Sequence, residues 1–290
     1  MVHDHRRFAP SRGIRITAPG ERRLSVCIAG ATGWTGQGLV PAVTAAPDLE
    51  LVSAVSRSAA GRDLGAALGG EELGVPVFRT VAEALEDVDV DVLVDYTSAT
   101  AVKGNTLAAI GAGVAVVIGS SGLGAADFEE IDAQARERSV GVVASGNFSL
   151  TAAMCQAAAL IAARHLPQWE VIDYADAAKP DVPSGTSREL AERLGEIRRP
   201  EAGYPIGELH GPQEARGADV AGTQVHSVRL PGFVVSTEIV FGLPDERLII
   251  RHDAGGTPTP YVEGTLLAVR RVTGLVGLTR GLDTLLLALQ

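Results

Sequence analysis

Short apolar runs recur through the first half of the chain, each followed by a stretch compatible with a helix. Leu24–Ala29 reads LSVCIA, and Leu49–Val55, Val90–Val94, Val114–Ile118 and Val140–Ala144 follow it. These runs show little polar alternation, which is the pattern of strands buried on both faces. Helices are expected from just after Gly36 to about 46, and at about 99–111 and 125–138. Strands of this kind joined by right-handed helical crossovers predict an α/β fold, a doubly wound parallel sheet of the Rossmann type.

The pattern changes after Asn147. A helix is predicted at about 150–165, then an apolar strand at 170–174, a Pro-rich turn and a second helix at 184–196. Residues 198–219 are rich in Gly, Pro and charge and read as a long loop. The runs 223–230, 233–241 and 247–252 alternate in part and are joined by tight Pro-Gly and Pro-Asp connections. They predict a second α+β domain with an antiparallel or mixed sheet. A last helix is expected to begin near Tyr261.

With 290 residues and 46% hydrophobic content, the chain can bury one or two sizeable cores. No stretch reaches the roughly 20 apolar residues that cross a bilayer, so no membrane partner is expected. Two cysteines, Cys27 and Cys155, fit buried thiols in a reducing compartment, and a cytoplasmic location is expected. No cysteine–histidine spacing suits zinc, and no metal is expected.

The net charge of -10 is uneven. Residues 1–23 carry six arginines against Asp4 and Glu21, a balance of +4 that leaves the rest at -14. That stretch lacks the apolar centre of a secretory signal and is expected to be a flexible extension. A body this acidic is a poor partner for nucleic acid. Only Lys103 and Lys179 are lysines among 25 basic residues. Lysine can hold or release a proton where arginine cannot, so each is a candidate for chemistry. Lys103 reads as a helix-surface charge.

Two motifs carry the chemistry. Gly30-Ala31-Thr32-Gly33-Trp34-Thr35-Gly36 stands between a strand and a helix. Glycines there allow a tight turn and a close approach to a pyrophosphate, whose charge the helix N-terminus favours. Gly30, Thr32, Gly33, Trp34, Thr35 and Gly36 are thus candidate cofactor residues. The second strand ends in Ser56-Arg57, with Arg62 nearby, where an NAD enzyme places an acid. A hydroxyl and a guanidinium at that place favour a 2′-phosphate, so NADPH is expected, with NADH the alternative. Further on, Lys179-Pro180-Asp181-Val182-Pro183-Ser184-Gly185-Thr186 precedes a helix that Ser184 would cap. Ser184, Gly185 and Thr186 would present a hydroxyl and N–H groups to a carboxylate, with Lys179 supplying charge or a proton.

In these and further motifs the chain resembles the dihydrodipicolinate reductase family, and most closely its actinobacterial members. The resemblance runs from Leu24 to the C-terminus. It includes Asp95-Tyr96-Thr97, Gly119-Ser120-Ser121-Gly122, Asn147-Phe148-Ser149, Arg216-Gly217-Ala218-Asp219-Val220, and the block from Val225-His226-Ser227 through Arg251-His252-Asp253. It implies an NAD(P)H-dependent reductase, usually a homotetramer. The nucleotide domain would comprise residues 24–147 and 258–290, and residues 148–257 would form the substrate and oligomerisation domain. Asp95, Tyr96, Thr97, Gly119, Ser120, Ser121, Asn147 and Phe148 would line the nicotinamide end. Lys179, Ser184, Gly185 and Thr186 would hold a cyclic imine bearing a carboxylate.

The chain departs from the family where substrate is expected. The family's His-His-x-His-Lys run reads Ala175-Asp176-Ala177-Ala178-Lys179, and its Arg in the nucleotide loop is Trp34. Its later Arg gives way within Gly255-Gly256-Thr257-Pro258, and its His-Gln-Glu-like stretch reads Ser236-Thr237-Glu238. Acid–base groups contribute about 10²–10⁴-fold in rate, so their loss bears on mechanism. Asp176 becomes a candidate acid beside Lys179. The expected function is NADPH-dependent hydride transfer to a conjugated C=N or C=C of a small carboxylate with a diverged substrate. The genuine reductase of lysine biosynthesis and a non-catalytic nucleotide-binding protein are the alternatives.

Overall fold

The computed structural model describes residues 22–287, so the arginine-rich extension lies, up to residue 21, outside the described residues. In chain order the first elements are β1 (Leu24–Ala29), α1 (Trp34–Ala45), β2 (Leu49–Val55), α2 (Leu64–Ala67), β3 (Val77–Phe78) and α3 (Val81–Asp87). Next come β4 (Val92–Asp95), α4 (Val102–Gly111), β5 (Ala115–Ile118), α5 (Ala125–Arg138), β6 (Gly141–Ala144) and α6 (Leu150–Ala163). Then follow β7 (Gln168–Ala175), α7 (Gly185–Ile197), β8 (Ala218–Val220), β9 (Thr223–Arg229), β10 (Val235–Leu243) and β11 (Glu246–Asp253). The chain continues through α8 (Thr259–Val272), β12 (Gly277–Arg280) and α9 (Leu282–Leu287).

Seven strands form one parallel sheet in the order β3–β2–β1–β4–β5–β6–β12. This is the doubly wound arrangement expected from the sequence, and the strand order reverses between β1 and β4. Strands β4, β5 and β6 are buried at every residue, as runs without alternation require. Apolar cores lie on both sides: Leu39, Val43 and Val269 pack on one, Ile110, Ile131 and Ala135 on the other. The chain comes back to this sheet at its end, because β12 pairs with β6 from Gly277↔Gly141 to Arg280↔Ala144.

The second sheet has the order β11–β10–β7–β9–β8. It is mixed. β10 pairs antiparallel with both β7 and β11, whereas β7 and β9 are parallel. The three late runs therefore do not form one antiparallel meander. Helix α7 carries the chain back over the sheet between β7 and β9, and such a crossover makes the joined strands parallel. Along β7, Trp169, Val171, Asp173 and Ala175 face inward and are buried, while Gln168, Glu170, Ile172 and Tyr174 face outward. Helix α7 is amphipathic and lays Leu190, Ala191 and Leu194 on the inward face.

Among the described residues no helix is long and apolar enough to cross a membrane. Cys27 and Cys155 are free thiols. Burial pushes their pKa values up to about 12 and about 11.

Candidate active site

The site is built at the C-terminal ends of the parallel strands. After β1, Gly30 takes a φ of +83°, and a Cβ there would stand 2.3 Å from the Tyr96 carbonyl oxygen. A Cβ on Gly36 would stand 2.3 Å from the Gly30 carbonyl oxygen. Only glycine fits these two places, and the loop they shape leads into α1. Gly33 is the cap residue of α1 and brings no side chain over its free N–H groups. The tight glycine turn expected from the sequence is present and leads into the N-terminus of α1. Beside it, Thr32 Oγ1 and Ser56 Oγ are 2.8 Å apart, joining the ends of β1 and β2. Arg57 is exposed next to them and has no ion-pair partner among the described residues. Arg62 turns back to donate to the Ala66 carbonyl oxygen at 2.8 Å.

Asp95, fully buried at the end of β4, organises the next segment. Its Oδ1 accepts from Thr97 N–H at 3.0 Å, Thr97 Oγ1 at 2.7 Å and Ser120 Oγ at 2.6 Å, and its Oδ2 accepts from Asn105 Nδ2 at 2.8 Å. Asp95, Thr97 and Ser120 thus spend their polar groups on one another. Tyr96 projects the other way, with its hydroxyl 2.8 Å from Thr265 Oγ1 and its ring edge-on to Phe148. Burial raises the pKa of this phenol. Gly119 makes room for the ring, since a Cβ there would lie 2.1 Å from Tyr96 Cε1.

One cleft of about 360 Å³ collects residues from both sheets. Trp34, Thr35, Tyr96, Gly119, Ser121, Asn147 and Phe148 line it from the first, and Lys179, Ser184, Gly185 and Thr186 from the second. Gly30, Thr32, Gly33, Gly36, Ser56 and Arg57 lie beyond it, along the ends of β1 and β2. Asp95, Thr97 and Ser120 stand behind its wall. Ser184 caps α7, accepting from Ser187 N–H and donating to Asp173 Oδ1 at 2.6 Å. Thr186 Oγ1 donates to the Gly146 carbonyl oxygen at 3.1 Å and accepts from Asn147 Nδ2 at 3.3 Å, so it ties the two sides together. Lys179 Nζ lies 2.8 Å from Asp181 Oδ1, half-buried in the cleft wall. Asp176 is exposed and outside the lining, and its Oδ1 accepts from Ala178 N–H at 2.9 Å within the turn.

Sequence reasoning missed several contributors. Tyr261 packs edge-on against Trp34 and lines the cleft with Val234, Val235, Ser145, Gly146 and Asp181. Glu189 on α7 is buried and accepts from the Gly146 N–H. Burial raises its pKa above the ordinary value of 4.5. Asp173 shows the opposite balance: burial pushes its carboxyl up, but hydrogen bonds from Ser184 and the Arg229 guanidinium outweigh this and hold it low. An acid on the inward face of an alternating strand was a signal in the sequence for Asp173. Val234 and Tyr261 gave none.

A larger hollow of about 690 Å³ lies on the outer face of the second sheet. In it Glu170 pairs with Arg216 and, at 2.7 Å, with His226.

Comparison with known proteins agrees with this layout. Residues 24–148 match the family model for the N-terminus of dihydrodipicolinate reductase, and residues 148–285 match that for its C-terminus. A 4-hydroxy-tetrahydrodipicolinate reductase of Desulfitobacterium hafniense is 36% identical over 267 residues, covering 91% of this chain and 99% of that protein. One from Thermosynechococcus vestitus is 37% identical over 268 residues, covering 91% and 97%. Among solved structures, a dipicolinate-bound dihydrodipicolinate reductase from Paenisporosarcina sp. TG-14 superposes with a TM-score of 0.72 at 28% identity, covering 91% of this chain and 99% of that one.

Proposed function

Because the chain belongs to the dihydrodipicolinate reductase family, whose members are NAD(P)H-dependent reductases, we propose that it reduces a conjugated C=N or C=C in a small cyclic carboxylate. NADPH is the proposed donor, and 4-hydroxy-tetrahydrodipicolinate, named for the relatives, is the first proposed substrate; loss of its 4-hydroxyl as water gives the conjugated ene-imine to which hydride and a proton are then added. The observation that carries this reading is the single cleft in which Lys179 and the Ser184–Thr186 turn face the nucleotide-loop residues Trp34 and Thr35. The glycine loop suits a pyrophosphate, since a Cβ at Gly30 or Gly36 would strike the Tyr96 or Gly30 carbonyl oxygen and break the tight turn, and Gly33 leaves the N–H groups that open α1 uncovered. Ser56 and Arg57 suit a 2′-phosphate. A bound reduced nicotinamide supplies the hydride. The N–H groups at the start of α7 and the Lys179 amine hold the substrate carboxylate, and Lys179 Nζ is the proposed proton source.

A second reading, a changed substrate, draws on the same cleft. Ala175, Ala177 and Ala178 bring no ionisable group, and Asp176 faces away from the lining. Among the cleft's described lining residues the charged side chains are Lys179 and Asp181. NADPH oxidation followed spectrophotometrically with 4-hydroxy-tetrahydrodipicolinate and with simpler cyclic imine carboxylates separates the two. The reading predicts turnover with at least one of them and calorimetric binding of dipicolinate to the NADPH-loaded protein. Absence of NADPH binding overturns it, and NADPH binding without turnover would leave a nucleotide-binding protein.

We also infer a cytoplasmic homotetramer. Two free thiols support the compartment. The outer face of the second sheet, with Ile249 exposed and Tyr174 stacked on Phe233, supports assembly through that face. Residues 24–147 with 258–290 are proposed as the nucleotide domain, and residues 148–257 as the substrate and assembly domain.

A further inference from the structure

We propose that Arg229 is a positioning residue: acting through Asp173, it fixes the spacing between Lys179 and the Ser184–Thr186 turn, an inference that rests on the reductase reading above. Neither Arg229 nor Asp173 lines the cleft. Asp173 is fully buried on the inward face of β7. Its Oδ1 accepts from Ser184 Oγ at 2.6 Å and Ser187 Oγ at 3.0 Å. Its Oδ2 accepts from Ser184 N–H at 2.9 Å, Ser227 Oγ at 3.2 Å and Arg229 Nη2 at 2.7 Å.

The same Nη2 of Arg229 donates to the Asp181 carbonyl oxygen at 2.7 Å. Among the described residues, this is the one hydrogen bond that ties residues 180–183 to the second sheet. Asp181 in turn holds the Lys179 amine through its carboxylate. One guanidinium on β9 therefore joins the turn that carries the amine to the carboxylate that anchors the cap of α7. The amine and the N–H groups of α7 are the two groups proposed to receive the substrate carboxylate. Their separation is set by one guanidinium nitrogen whose two N–H bonds reach two oxygens at once, its direction held by Nη1, which donates to the Val228 carbonyl oxygen at 3.0 Å.

A simple counterion for Asp173 would need only positive charge. Lysine supplies that charge but lacks the second nitrogen and the rigid plane that aim Nη2 at both oxygens, so Arg229→Lys separates the two roles. The expected result is a fall of about 10²-fold in kcat/KM for the carboxylate substrate, the scale of a reacting group displaced by about 1 Å. NADPH affinity is expected to stay within about twofold, and the affinity for dipicolinate, titrated calorimetrically into the NADPH complex, to fall in parallel with kcat/KM. Asp173→Asn keeps an oxygen for Ser184 but loses the charge that anchors Arg229, and it is expected to give the same split. Circular dichroism and a thermal melt check that each variant folds.

Wild-type kcat/KM and dipicolinate affinity in Arg229→Lys would overturn the proposal. So would an equal loss of NADPH and dipicolinate binding, the mark of general loosening. If the wild-type protein binds NADPH and dipicolinate but reduces no imine, the reductase reading fails, while the dipicolinate titration still decides the role of Arg229.

Discussion

Lys179 is one of two lysines in the chain, and the only one in the cleft. Its replacement by Ala is expected to lower turnover by about 10²–10⁴-fold, the span of a general acid. Steady-state and calorimetric measurements should show NADPH affinity nearly unchanged, because the amine lies on the substrate side. An unchanged rate would remove it from the mechanism. At this scale the sequence was most legible where a residue was rare or had a fixed conformational task. Lysine in an arginine-using chain, Gly30 at positive φ and Ser184 at a helix cap all stood out. Asp95 and Ser120 were placed near the nicotinamide by resemblance, yet their side chains bond to each other behind the wall. Asp176 sits in the tract that holds Lys179, but nearness in sequence did not place its carboxylate in the cleft. Residues that meet only through tertiary packing, such as Arg229 with Asp181, have no local signature.

Helix α7 joins the two sheets. Besides its cap at the cleft, it sends Arg193 to Asp283 at 2.5 and 2.8 Å, Glu192 to Arg280 at 2.8 Å, and Glu189 to the Gly146 N–H. Burial raises the folded-state pKa of Glu189 above the ordinary 4.5. The folded chain therefore keeps a proton there that the unfolded chain releases. The stability linked to this proton is fully present below the ordinary value and is lost as pH rises from there through the folded value. Asp173 works in the other direction: its lowered pKa adds stability above the ordinary 3.8 that is lost as pH falls through the folded value. Thermal midpoints across pH are expected to show a decline on the alkaline side of 4.5 that Glu189→Gln removes. If the variant keeps the wild-type slope, Glu189 is not its source. Long apolar strands and capped helices were legible at this scale, down to the bounds of β1, β2 and α5. The short α2, β3 and α3 were not, since two to seven residues carry too little periodicity to register. β12 was missed because a four-residue strand with half-buried positions gains its identity from pairing with β6.

For the whole molecule, a nucleotide that binds the folded state alone raises stability by about 2.7 kcal/mol at a hundredfold excess over Kd. NADPH is therefore expected to raise the melting temperature more than NADH at equal concentration, and the difference should shrink with added salt. Arg57→Ala should narrow that gap, whereas Arg270→Ala, at a surface pair with Asp48 far from the cleft, should leave it intact. An equal shift from both nucleotides in the native protein would remove Arg57 from cofactor choice. The doubly wound sheet was legible because most of its early strands are largely apolar runs, with β4, β5 and β6 buried throughout. The mixed second sheet was only half legible, since alternation reveals a strand but not its neighbour. The late pairing of β12 with β6 also bears on how the protein is made. A ribosome must finish the entire second sheet before Gly277 emerges to close against Gly141. At roughly 5–20 residues per second, the flank of β6 stays bare for several seconds in every nascent chain. That bare flank is a template for a stray strand from a neighbouring polysome product, and it is where a chaperone has most to shield.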